Sequence, residues 1–403
     1  MTISITDIRQ AADLIRGITV ATPCSRSLLL SEISGADIIL KFENHQFTAS
    51  FKDRGALVKL LSLSETEKQQ GIIAMSAGNH AQAVAYHARR LRISATIVMP
   101  AHTPFNKVEN TRAFGAEVIL FGDGLKEARH KAEELAAERK LILIHPYDDE
   151  KIIAGQGTVA LEMLALFPDL DLLVVPVGGG GLIAGVAVAA KAINPEIGII
   201  GVQTERFPSM KQELAGNPVE FGSRTIAEGI AVKTPGILTL PIVRELVDEI
   251  LLVDEDRIEE AVEMLLEVEK SVVEGAGAAG LAVVLAHKER FRGKRVGLIL
   301  SGGNIDMFTL SSVIQRGLVR SGHLARISVD IPDEPDALAK ITALLGEENA
   351  NIVQVYHQRA FSHLSIRQVR VEFSLQTLGR DHLHNLLNVL ASHGYQATLH
   401  ESE

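Results

Sequence analysis

At 403 residues the chain is long enough to bury more than one core, and a composition 46% hydrophobic and 22% charged is that of a compact α/β protein rather than a disordered or fibrous one. Its 50 acidic and 40 basic residues leave a net charge of −10, which argues against a nucleic-acid-binding surface and for small-molecule partners. Cys24 is the single cysteine, so an intrachain disulfide and a cysteine-rich zinc site are both excluded.

Residues 1–10 mix Thr, Ser, Asp and Arg with apolar residues and lack the form of a secretion signal. The apolar runs at 172–177 and 296–300 are too short for a membrane helix and read as buried parallel strands, so a soluble cytoplasmic protein is expected. In chain order, the pattern predicts a strand over 37–41 and a helix over 51–61 with Lys52 near its start. A strand over 72–75 leads into Ser76-Ala77-Gly78-Asn79-His80 and an alanine-rich helix over 81–90, the order of an α/β unit. A strand at 95–99 follows, then a further cycle of 108–114, 118–121, a charged helix over 125–140, and 141–145. Gly155-Gln156-Gly157 reads as a turn before a helix over 158–166. The strand at 172–177 runs into four consecutive glycines, with a new helix from Leu182. Strands at 199–203, 249–253 and 296–300 and helices at 256–268 and 276–287 complete the α/β layers.

The last part changes style. Strands over 325–330, 352–358, 367–374 and 395–399, with helices over 336–345 and 382–391, describe a βαββαβ module. Its start places a boundary within 316–324, giving a domain over 1–320, with a smaller subdomain over 45–150, and a second domain over 325–403.

Two features carry chemistry. After a strand, Gly178, Gly179, Gly180 and Gly181 let backbone N–H groups approach a phosphate at a helix start; read alone, they are better explained as a tight structural turn. They lack the spacing of a nucleotide-triphosphate loop or a dinucleotide fingerprint, which leaves a monophosphate cofactor. Lys52, in Ser50-Phe51-Lys52-Asp53-Arg54-Gly55, is by itself an ordinary solvated lysine, yet an uncharged amine there could form an imine with an aldehyde cofactor and later act as a base.

The segments Ser50-Phe51-Lys52-Asp53-Arg54-Gly55-Ala56, Ser76-Ala77-Gly78-Asn79-His80-Ala81-Gln82, Gly155-Gln156-Gly157-Thr158, Val175-Pro176-Val177-Gly178-Gly179-Gly180-Gly181-Leu182 and Ser301-Gly302-Gly303-Asn304 resemble, in order, the motifs of threonine and serine dehydratases. These are fold-type II, tryptophan-synthase-β-like enzymes that use pyridoxal 5'-phosphate. The resemblance implies two α/β subdomains around a cofactor cleft and a homodimer or homotetramer. It implies Lys52 as the lysine that bonds the cofactor, Phe51 against its ring, Asn79 on its phenolic oxygen, Gly178 to Leu182 around its phosphate and Ser301 on its ring nitrogen. Ser76, Ala77, Gly78, Asn79 and His80 are implied around the substrate carboxylate, while Ser76 and Asn79 also suit the cap of the helix that follows. His80 is expected to support the site rather than transfer a proton.

The implied reaction is loss of ammonia from a small β-hydroxy amino acid, threonine first and serine second. A 3-hydroxyaspartate ammonia-lyase, a serine racemase and a noncatalytic amino-acid sensor are the alternatives. Racemases of this group carry a serine where this chain has Ala77, and acidic metal ligands where it has Gln203 and Ser209, so neither racemisation nor a divalent metal is expected. The terminal module resembles an ACT domain, with Asp333-Glu334-Pro335-Asp336-Ala337-Leu338 at its first strand-to-helix connection. Asp336 stands where amino-acid-binding versions commonly have glycine, which leaves an amino-acid effector and an assembly role both open. The His382 and His384 pair has the wrong helical spacing for a metal site.

Overall fold

The computed structural model describes residues 3–359 and 364–400, and its contacts divide the chain between Asp306 and Met307. Among the described residues ten strands build the larger unit: β1 (Cys24–Ser27), β2 (Asp37–Lys41), β3 (Ile72–Met75), β4 (Ala95–Met99), β5 (Glu117–Leu120), β6 (Ile142–Leu143), β7 (Leu172–Pro176), β8 (Gly198–Thr204), β9 (Glu249–Val253) and β10 (Arg295–Ile299). They form a six-stranded sheet in the order β1-β2-β10-β7-β8-β9 and a four-stranded sheet in the order β5-β4-β3-β6. Apart from the antiparallel β1 and β2 pair, every pairing is parallel. The inner strands are apolar on both faces because helices cover both sides, which is why they read as continuous apolar runs.

Strand β10 enters between β2 and β7, pairing Leu298 with Leu40 on one side and with Val174 on the other. This insertion brings chain segments far apart in sequence to one edge of the sheet. A buried ionic cluster supports the same region. Arg54 binds Glu43 through Nε at 2.7 Å and Glu162 through NH1 at 2.5 Å, and Lys41 reaches Glu162 at 2.6 Å and the Thr22 carbonyl at 2.7 Å. It fixes the first turn of the Lys52–Leu61 helix against β2 and the Glu150–Leu166 helix.

That last helix corrects one expectation. Gly155-Gln156-Gly157 is not a turn; it lies inside a continuous helix, Glu150–Leu166. The glycines permit helices to touch backbone to backbone: a Cβ on Gly155 would lie 2.6 Å from the Gly55 Cα, and one on Gly157 2.7 Å from the Gly185 carbonyl. Gln156 meanwhile accepts the Gly55 N–H at 3.2 Å. The segment at 141–145 keeps only the two-residue strand β6, although the Ile144 N–H still donates to the Ile73 carbonyl at 2.9 Å. A helix over Ile5–Ile15, closed by a Ser4 and Asp7 capping box, went unread in the periodicity.

The second unit holds β11 (Leu324–Pro332), β12 (Asn351–Gln358), β13 (Gln368–Gln376) and β14 (Ala397–Leu399) in one antiparallel sheet, ordered β12-β13-β11-β14. Helices Ala337–Glu347 and Arg380–Ser392 bury Ile341, Leu345, Leu386 and Leu390 on Ile327, Val329, Phe373 and Leu375. The Met307–Arg320 helix, ahead of the expected boundary, groups with this unit. Asp336 adopts φ 77 at the start of the first helix, a left-handed conformation that favours glycine.

Candidate active site

The cleft residues follow the C-terminal ends of parallel strands, where open α/β sheets collect their ligands. Ser76 follows β3, Gly178 to Gly181 follow β7, and Ser301 follows β10. Lys52 begins a helix in the connection after β2, and an isolated bridge between Ser50 and Gly302 ties it to the end of β10. Its Nζ donates to the Pro146 carbonyl at 2.7 Å and lies 5.1 Å from the Phe51 ring centroid. Burial lowers the Lys52 pKa to about 8, against the Glu274 charge that raises it. A neutral amine is therefore accessible near physiological pH.

Two helix N-termini are left with free amides. The Gly181–Ile193 helix starts from Gly180 at φ 96 without a side-chain cap, and among the described residues the N–H groups of Gly178 to Leu182 meet no backbone carbonyl. Tyr147 packs across Gly179, and the Thr239 hydroxyl donates to the Gly179 carbonyl at 2.6 Å. The Asn79–Leu91 helix is likewise uncapped. Contrary to the capping role open to Ser76 and Asn79, the Ser76 hydroxyl accepts from the Gly78 N–H at 3.2 Å, outside the helix, and the Asn79 amide turns away. The first amides of this helix stay available because these short side chains found other partners. One cleft thus offers two anion cradles and a weakly basic amine.

His80 is buried, and its Nε2 contacts the Ile144 carbonyl at 3.0 Å. A carbonyl only accepts, so Nε2 carries the hydrogen, and burial lowers the pKa to about 3. His80 therefore pins the loop after β6. The Ser301 hydroxyl makes no hydrogen bond to a described residue. Gln203 spends its side chain on Val177 O at 3.3 Å and Lys211 N–H at 3.0 Å, and Ser209 donates to Val232 O at 2.6 Å. Among the described residues no cluster of three metal-ligating side chains occurs.

Four participants escaped the sequence reading. Pro146 and Tyr147 hold Lys52 and Gly179; the only cue was the abrupt end of the apolar run at 141–145. His145 accepts the Asp148 N–H through Nδ1 at 2.8 Å, and burial lowers its pKa to about 4. Glu274 accepts from Asn79 at 2.7 Å across a separation no local pattern reports.

Residues 15–302 match the family described as pyridoxal-phosphate dependent enzyme. The L-threonine ammonia-lyase of Thermotoga maritima is 43% identical over 98% of this chain and 99% of its own length. That of Geobacter sulfurreducens is 42% identical over 96% and 97%. Maize serine racemase is similar in structure, with TM-score 0.74 and 36% identity, over 80% of this chain and 100% of that one. No helix among the described residues is long and apolar enough to cross a membrane. With the match spanning the helix that Lys52 begins, the glycine loop and the start of the Ser301 turn, the chain belongs to the pyridoxal-phosphate dependent enzymes, and pyridoxal phosphate is its cofactor.

Proposed function

We propose that the protein is an L-threonine ammonia-lyase that converts L-threonine to 2-oxobutanoate and ammonia, and L-serine to pyruvate. The observation that carries this reading is the pair of uncapped helix N-termini around Lys52. The free amides of Gly178 to Leu182 suit a dianionic phosphate, and those at the start of the Asn79–Leu91 helix, with Ser76, Ala77 and Gly78, suit a substrate carboxylate. Pyridoxal phosphate, when bound, supplies the aldehyde that takes up the amino group and the ring that withdraws electron density from Cα. Phe51 would pack against the ring, Asn79 would meet its phenolic oxygen, and the unengaged Ser301 hydroxyl would meet its nitrogen.

Lys52 removes the α-proton, a role its lowered pKa supports. At the ring nitrogen a neutral Ser301 hydroxyl would not hold a proton as an aspartate does, a setting that would favour elimination over prolonged negative charge at Cα. Ala77 has no exchangeable proton for the opposite face, which speaks against racemisation.

The test is an amino-acid panel assayed with pyridoxal phosphate for keto acid, ammonia and chirality together. Threonine and serine should give stoichiometric keto acid and ammonia, and Lys52→Ala should abolish turnover; normal turnover in that variant rejects the reading. The antiparallel second unit, with its βαββαβ order, supports an ACT-like module that couples assembly of a cytoplasmic homodimer or homotetramer to activity. The Asp336 side chain at a glycine-favouring φ supports assembly over a tight effector site. Substrate-response curves of the full chain that stay unchanged across protein concentration and with added branched-chain amino acids would reject that coupling.

A further inference from the structure

Glu274 is a partly buried carboxyl in the cleft to which the proposed chemistry gives no role. Its backbone N–H donates to the Gly302 carbonyl at 3.0 Å, which ties it to the turn after Ser301. Two glycines make room for its side chain: a Cβ on Gly302 would lie 2.5 Å from Oε1, and one on Gly229 3.2 Å from it. Oε1 accepts from Asn79 Nδ2 at 2.7 Å, and Asn79 Oδ1 accepts from Asn304 Nδ2 at 2.5 Å. Asn304 is itself held by the Thr48 carbonyl at 2.8 Å. An ionised carboxylate can only accept, and an amide nitrogen carries two hydrogens. Asn79 is therefore read from both ends: its oxygen faces Asn304, one N–H faces Glu274, and one N–H is left to donate elsewhere.

We propose that Glu274 is a positioning residue that, by accepting this hydrogen bond, fixes the polarity of the Asn79 amide so that its remaining N–H points at the ring oxygen of the bound cofactor. The inference rests on the placement of Asn79 against that oxygen in the function proposed above. Lys52, Lys107 and Glu228 are the charged groups that act on Glu274, with Lys107 and Glu228 paired to each other across the cleft. Burial raises the Glu274 pKa to about 7, opposed by the Asn79 hydrogen bond and the two lysines and reinforced by Glu228. Once protonated, the carboxyl no longer demands an N–H from Asn79, and Asn304 alone is left to hold the polarity of the amide. Cofactor hold should then weaken as pH falls through neutrality.

The experiment uses the full chain loaded with pyridoxal phosphate, and measures the dissociation constant by equilibrium dialysis and the visible absorption spectrum over a pH series. The unsubstituted chain should lose affinity on acidification with a midpoint of about 7. Glu274→Gln, whose amide can present either end, should bind about tenfold more weakly in mild alkali and show no such midpoint. Asn304→Ala leaves Glu274 in place; it should weaken binding while keeping the midpoint, and it serves if Glu274→Gln does not fold. Wild-type affinity and an unmoved midpoint in Glu274→Gln would overturn the inference, as would wild-type affinity in Asn304→Ala. Turnover surviving Lys52→Ala would instead remove the functional reading beneath it. Loss of turnover in Lys52→Ala together with an unaffected Glu274→Gln would remove this inference alone.

Discussion

Gly180→Ala separates backbone strain from crowding in the glycine loop. Gly180 has φ 96, so an alanine there pays about 1–2 kcal/mol for a left-handed backbone. Its Cβ would also lie 2.6 Å from Thr239 Oγ1 and 2.7 Å from Met210 Cε. The methionine methyl can swing away, but the Thr239 hydroxyl is held on the Gly179 carbonyl, so relief requires the loop itself to move. Crowding of this kind costs about 1–3 kcal/mol, which brings the total to about 2–5 kcal/mol. Gly216 supplies the control: its φ is 71 and nothing lies within 4 Å of an added Cβ, so Gly216→Ala pays the backbone cost alone. Thermal melting should rank wild type above Gly216→Ala above Gly180→Ala. Since the displaced loop carries the amides assigned to the phosphate, equilibrium dialysis should show pyridoxal phosphate binding weakened by about 30-fold or more in Gly180→Ala and unchanged in Gly216→Ala. Equal melting of the two variants, with cofactor affinity intact in both, would refute the crowding argument.

Capture of pyridoxal phosphate by the cofactor-free protein requires neutral Lys52, whose folded pKa is lowered to about 8. Below that value the capture rate, followed by absorbance after rapid mixing, should fall about tenfold per pH unit, and a rate flat across that range would contradict the burial of the amine. Ala49 adopts φ 55 three residues before Lys52, with its carbonyl held by Gly303 N–H at 2.9 Å. Ala49→Gly should relieve about 1–2 kcal/mol of strain against about 0.4–1 kcal/mol of added unfolded-chain entropy, so its melting temperature should rise slightly; a fall would show that the methyl group packs favourably.

Some of this site was legible because its signal is local. Gly178 to Gly181 after an apolar run announce a loop whose amides can be approached, and Lys52 lies at the start of a helix with recognisable neighbours. The strand expectations succeeded for the same reason, since burial on both faces leaves continuous apolar runs such as 172–177 and 296–300. Where the partner is remote, the local reading had no access to it. Gly155-Gln156-Gly157 reads as a breaker until the Gly55 and Gly185 backbones are seen against it. Ser76 and Asn79 read as caps until Asn79 is seen engaged by Glu274, 195 residues away, and by Asn304.

The sequence by itself determined the alternating α/β elements, the residue types at the cleft and the βαββαβ order of the last module, because periodicity and adjacency are written into neighbouring residues. Tertiary structure decided which strand ends meet. Parallel pairing places β10 between β2 and β7 through contacts that local sequence does not specify, and that insertion sets Ser301 beside the Lys52 turn. It also decided the protonation behaviour of the cleft. A lysine with a pKa lowered to about 8 and a glutamate with one raised to about 7 owe those values first to burial, a property of the packed chain around them and not of the residues themselves.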